Sequence, residues 1–130
     1  MKRIAPAILF LAILWSFPAL ASDVSVVEGT MTTGVVDRVP ADHIQTSPAS
    51  VGNIYCFTRI AGAPADTAVT HVWYRDGKEM ARITLPVRFA DWRTWSSKKI
   101  LPSWIGQWKV EILDAGGNIL ETLPFIITKD

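Results

Sequence analysis

Apolar side chains recur along most of this chain at every second position or in short runs, and no stretch keeps them at helical spacing for three turns. Residues 24–27 and 30–36 predict edge strands, broken near Glu28-Gly29 and stopped before Pro40. The polar stretch 41–52, with Pro48 and Gly52, predicts a loop. Residues 53–60 (NIYCFTRI) are β-branched and aromatic and read as a strand. After a connection at 62–66, residues 69–75 and 78–87 form a hairpin across Asp76-Gly77, the strongest turn signal in the chain. A further strand is predicted within 89–100, then a turn at 101–106 with Trp104 as an apolar anchor. Residues 107–113 alternate cleanly, Trp108, Val110 and Ile112 against Lys109 and Glu111. The last strand, 119–128, follows a turn at 114–118 and is kinked at Pro124. About seven short strands with turns between them predict an all-β fold, a single antiparallel β-sandwich.

The same alternation sorts the tryptophans. Trp108 shares the core face with Val110 and Ile112. Trp73 depends on hairpin register. A two-residue turn at Asp76-Gly77 sets His71 and Trp73 with Met80 and Arg82; a three-residue turn with a bulge moves Trp73 to the face of Ala81 and Ile83. In WRTWSSK, Trp92, Thr94 and Ser96 fall on one face and Arg93, Trp95 and Ser97 on the other. Both faces carry an indole, so a regular strand turns one of them away from the core. An exposed indole beside Arg93 or Lys98 is the pattern of a binding surface, because Trp and Arg combine large contact area with polar handles.

The amino terminus changes the compartment. Lys2 and Arg3 precede a nearly continuous apolar run, and Pro18-Ala19-Leu20-Ala21 ends in a small-x-small pattern before Ser22. This predicts a signal peptide over 1–21 with cleavage between Ala21 and Ser22, leaving 22–130 as one periplasmic or secreted domain with no further membrane span; the alternative is that the segment stays uncleaved as an anchor. The chain holds 13 Lys and Arg against 12 Asp and Glu; without Lys2 and Arg3 the balance is slightly acidic, which argues against nucleic acid as a partner. The single cysteine, Cys56, cannot form an internal disulfide and reads as a small buried hydrophobe.

Catalytic patterns are missing. The two histidines, His43 and His71, have no ligand spacing for a metal site. A nucleophilic triad would need one of them beside Ser96, Ser97 or Ser103, and no nucleophile-elbow pattern surrounds these serines. Asp91 beside Trp92 has no marked second carboxylate for glycoside hydrolysis. Neither a cofactor nor a metal is implied.

Two resemblances follow from these residues. VWYRDGKEM is similar to the third strand and following turn of immunoglobulin-type domains, where the tryptophan packs on a cysteine of the preceding strand; Cys56 stands at a suitable interval before Trp73. The second cysteine of that pattern is missing from the Trp108 strand, so the resemblance implies an immunoglobulin-like sandwich without the inter-sheet disulfide. From Tyr55 onward the chain also resembles a bacterial family catalogued as domain of unknown function 2914. The matching residues are His71-Val72-Trp73-Tyr74, Asp76-Gly77-Lys78, Trp92-Arg93-Thr94-Trp95-Ser96 with Lys98, Gly106-Gln107-Trp108-Lys109-Val110, Asp114 and Gly117. That resemblance implies a small exported β-rich module and names no catalytic residue. The function expected is a non-enzymatic binding module of the cell envelope, its ligand a glycan or a protein, with Trp92, Arg93, Trp95, Lys98 and His71 at the contact. The alternative is a structural or assembly subunit that docks on a partner protein through a sheet edge or apolar face.

Overall fold

The computed structural model describes residues 23–130; the predicted signal peptide and its cleavage position, Ala21 and Ser22, lie outside the described residues. The chain is all-β. Its strands are β1 (Ser25–Thr32), β2 (Val35–Val36), β3 (Val39–Pro40), β4 (Thr46–Pro48), β5 (Asn53–Ala61), β6 (Thr67–Arg75), β7 (Lys78–Val87), β8 (Asp91–Lys99), β9 (Gly106–Leu113) and β10 (Ile119–Thr128). One 3-10 turn, Ala49–Val51, is the only helical element among the described residues. The strands form a three-stranded sheet in the order β1-β5-β8, a five-stranded sheet in the order β4-β10-β9-β6-β7, and the β2-β3 hairpin. Neither large sheet closes into a barrel. Pairing is antiparallel except between β4 and β10.

Ten strands stand among the described residues where about seven are expected. The surplus is three short ones, each with a local cause. Asp37 and Arg38 take positive φ (51° and 61°), the two-residue turn that closes β2 on β3. β4 emerges inside the expected loop because its backbone finds a parallel partner in Ile126–Thr128 of β10. The break expected at Glu28-Gly29 does not occur: a register shift between Val26 and Glu28 absorbs it as a bulge, and β1 runs through. At Pro124, where a kink is expected, β10 keeps its register with β9. The proline lies opposite Lys109, and alternation from Ile126, whose N–H reaches Gln45 outside the sheet's β9 side, puts the missing donor at the open edge.

The β6–β7 register combines both alternatives posed by the sequence. Arg75 pairs with Lys78 across a two-residue turn, Asp76 and Gly77 taking φ of 47° and 82°. One residue of slip then follows between Trp73 and Tyr74, so that Trp73 pairs with Ala81 and His71 with Ile83. The bulge thereby turns Trp73 and His71 into the interior, both without solvent exposure.

Met31, Ile54 and Cys56 of the three-stranded sheet share one apolar cluster with Trp73, Trp108, Val110, Ile112, Phe125 and Ile127 of the other. Trp73 meets Phe125 edge to face at 6.1 Å, and Trp108 stacks on the same ring at 5.8 Å. A smaller cluster, Val24, Ile60, Ala63, Val69 and Val87, fills the end nearest Trp92. Cys56 is a free, buried thiol, its pKa pushed up chiefly by burial and secondarily by Glu121.

Candidate functional site

β8 divides by alternation. On its inner face Thr94 and Ser96 are buried and meet β6 across the core. Ser96 Oγ lies 2.7 Å from His71 Nδ1 and accepts from Trp73 Nε1–H at 3.1 Å. Thr58 Oγ1 donates to the Thr94 carbonyl at 2.8 Å and lies 3.3 Å from His71 Nε2. A hydroxyl that donates to a carbonyl can only accept from the imidazole, so Nε2 carries the proton and Nδ1 accepts from Ser96. The proton order runs one way, from Trp73 through Ser96 to His71 and from His71 through Thr58 to Thr94. No buried side-chain nitrogen or oxygen among the described residues lacks a partner. Burial pushes the His71 pKa down to about 4, so the ring is neutral at ordinary pH. His71 and Ser96 thus form a serine–histidine pair, but the second ring nitrogen meets a threonine, not an acid, and both side chains are closed off from solvent. They join the two sheets.

On the outer face, Asp91, Arg93, Trp95, Ser97 and Lys99 point away from the core. Trp95 lies opposite Phe57 of β5 and stacks on it at 6.2 Å and 18°. Phe57 is only 1% exposed and Trp95 half-buried, so the indole is held flat. Arg59, opposite Arg93, makes a two-pronged bond to Asp91 at 2.9 and 2.6 Å. That pairing holds the Asp91 carboxyl below its usual range. Arg93 donates to the Arg38 carbonyl at 3.4 Å, which sets the β2–β3 turn beside this face.

The five residues expected at a contact therefore occupy different places. Arg93 and Trp95 share the outer face. Trp92 is on the inner side, half-buried against the smaller apolar cluster, with the exposed Phe89 ring tilted on it at 5.4 Å. Lys98, also on the inner parity, carries its ammonium over the Trp104 ring at 4.7 Å. His71 is buried and fully bonded, so it is not part of any surface with Arg93 and Trp95; the β7 bulge is the physical reason. Two further contributors to the outer face, Tyr55 and Arg59, were not singled out by the sequence because they belong to β5, and cross-strand register brings them opposite Ser97 and Arg93.

Two of the recesses lined by the described residues bear on the two sheets. A shallow notch of about 150 Å³ lies where the free edge of β8 passes Pro86 of β7, lined by Trp92, Arg93, Thr94 and Trp95. A larger cleft of about 750 Å³ opens on the opposite side, between β1 and β10, over Trp108, Leu123 and Phe125. Its size suits a small ligand. His43, bonded to Thr30 at 2.9 Å, is the one ionisable side chain among the described residues of its wall.

Most residues carrying the family resemblance have tasks in the fold. Asp76 accepts from Gln107 N–H at 3.0 Å and crowds Gly106, where any Cβ would meet its carboxylate at 2.7 Å; Gly106 also takes φ 131°. Trp108 Nε1 donates to the Trp104 carbonyl at 2.9 Å. Asp114 caps the last turn through Gly116 and Asn118 N–H, with Gly117 at φ 84°. Arg93 holds the β2–β3 turn through the one long bond to the Arg38 carbonyl, and the exposed part of Trp95 has no comparable internal role.

No curated protein matches this chain. Among solved structures, an endonuclease/exonuclease/phosphatase from Beutenbergia cavernae is similar at 19% identity over 81% of this chain, with a TM-score of 0.36; the match spans 35% of that protein's length. Residues 66–127, nearly all of β6 to β10, match the model of a family described as protein of unknown function (DUF2914), and this is the family that the chain resembles.

Proposed function

We propose that the protein is an exported, non-enzymatic binding module of the cell envelope that holds a glycan against the outer face of β8. Within this reading the two larger sheets form an immunoglobulin-like sandwich. The parallel β4–β10 pair, the β1-β5-β8 sheet and the Cys56–Trp73 core support that detail. The observation that carries the function is Trp95: an indole fixed flat on Phe57, beside Arg93 and the Arg59–Asp91 pair, on an open sheet. A flat indole stacks on the apolar face of a sugar ring, while guanidinium and carboxylate groups hydrogen-bond its hydroxyls. The face has no deep enclosure, which suits a polymer better than a small metabolite.

Titrating envelope glycans while following tryptophan emission tests this. A saturable change that Trp95→Ala abolishes is expected; no response to any glycan, with Trp95→Ala behaving as the parent, would sink the glycan reading. A second reading, docking of a protein strand on the edge of β8, is favoured by one specific feature. β8 is an edge strand whose register with β5 is regular from end to end.

A further inference from the structure

We propose that two copies of this chain join edge to edge through antiparallel β8 strands, with the two-fold axis at Trp95. The inference rests on the second reading above and names its partner. The strand edges differ in what they can offer a neighbour. β7 carries Pro86, β10 carries Pro124 and β4 carries Pro48, each lacking an N–H to offer a neighbouring strand. β1 is bulged between Val26 and Glu28. Among the edges of the described strands, only β8 offers nine residues without proline or bulge.

The direction of its free groups follows from its bonds to the β5 side. Ile100 N–H reaches the Gly52 carbonyl and Gly62 N–H reaches the Ala90 carbonyl, both on the register that pairs Asn53 with Lys99. Even-numbered residues of β8 therefore bond toward β5. Odd-numbered ones, from Asp91 to Lys99, aim N–H and C=O at the open edge. A second β8, run antiparallel about Trp95, places odd opposite odd throughout: Asp91 faces Lys99, Arg93 faces Ser97 and Trp95 faces its own copy. Every edge-facing backbone group then has a partner. Charge selects this register. Sliding one step toward the carboxyl end sets Arg93 against Lys99, and sliding the other way separates Asp91 from Lys99. The product is a continuous six-stranded sheet, isologous as two-fold dimers are, with both Trp95–Arg93 faces on one side.

Sedimentation of the full chain over a wide concentration range tests the proposal. A monomer–dimer equilibrium is expected. Ser97→Pro removes an edge N–H that has no partner within the monomer; it should abolish the dimer while the thermal transition stays close to the parent's. Lys99→Asp, which sets two aspartates face to face twice per dimer, should weaken association roughly tenfold. A chain that stays monomeric, or a dimer indifferent to both substitutions, would overturn the proposal. If the monomer instead captures an envelope protein that Ser97→Pro releases, the homodimer falls and edge docking stands; if it captures none, both fall. Glycan titration of the Ser97→Pro chain reads the glycan proposal independently.

Discussion

The two faces of β8 differ in how completely the protein uses them. Inward, Thr94 and Ser96 sit in a bonded chain with Thr58, His71 and Trp73, in which each proton has one direction. Outward, Trp95 and Arg93 rest on Phe57 and the β2–β3 turn but keep polar capacity and surface in reserve. A buried polar group is valuable only while all its partners are present, whereas a half-exposed one can change partner at little cost. Substitutions on the inner face should therefore act on folding, and those on the outer face on binding.

The sharpest way to break this contrast is Ser96→Ala. Removing one hydroxyl orphans both Trp73 Nε1–H and His71 Nδ1 in a dry interior, for a loss of about 4 kcal/mol. Urea unfolding would measure it; a loss under about 1 kcal/mol would mean that the network is slack. Acid should act on the same group through His71. Its folded pKa is about 4 against an ordinary 6.5, so between those values the unfolded chain takes up a proton that the folded chain refuses. Stability should be flat above about pH 6.5, fall by roughly 3 kcal/mol as pH drops to about 4, and lose nothing further through this ring below that. Asp42, whose pKa is lowered by bonds from Thr32 and Thr33, contributes its loss only at lower pH, so the windows separate. His71→Gln should remove the slope between pH 6.5 and 4; an unchanged slope would assign it elsewhere.

How far the inner and outer faces could be read in advance depends on the range of the forces involved. The separation of Trp92 from Trp95 needs only the period of a strand, and the buried Trp108, Val110 and Ile112 follow from the same rule. His71 was less legible. Its face turned on a one-residue slip in β7, and a bulge has no strong sequence signature apart from the turn that it accompanies. Lys98 was misleading for another reason: it is close to Trp95 in the chain, yet it ends above Trp104 across a loop that sequence distance does not measure. β4 was hidden in a polar stretch because parallel pairing with β10 is a contact between segments far apart in the chain. The outer face was half visible, since Tyr55 and Arg59 join Trp95 and Arg93 only through β5–β8 register.

On the outer face the expected order reverses. Trp95→Ala uncovers part of Phe57 and should cost about 1–2 kcal/mol, less than Ser96→Ala although far more atoms are removed. Its effect on glycan binding should be larger, at least about tenfold, because stacking area is lost from the centre of the contact. Arg93→Ala should leave unfolding within about 0.5 kcal/mol of the parent and still weaken binding. Urea curves and fluorescence titrations on the same samples would compare the two readouts directly. If either variant proves as destabilising as Ser96→Ala, the two faces are not separable and the outer one is merely a second core.

Lys98 supplies the smallest and most discriminating effect. Its ammonium sits 4.7 Å from the Trp104 centroid, both side chains half-buried, and a cation–π contact near the surface contributes about 0.5–1 kcal/mol. Lys98→Met keeps much of the apolar stem and removes the charge, so unfolding should shift by no more than that amount. Glycan affinity should not move, because even-numbered positions of β8 point to the side opposite Trp95. Lys99→Met, two positions beyond Ser97 on the outer parity, is the matched control: it should leave stability unchanged and lower affinity for an acidic glycan more than for a neutral one. Equal losses from the two lysine variants would mean that a diffuse positive field around β8, rather than one face of it, attracts the ligand.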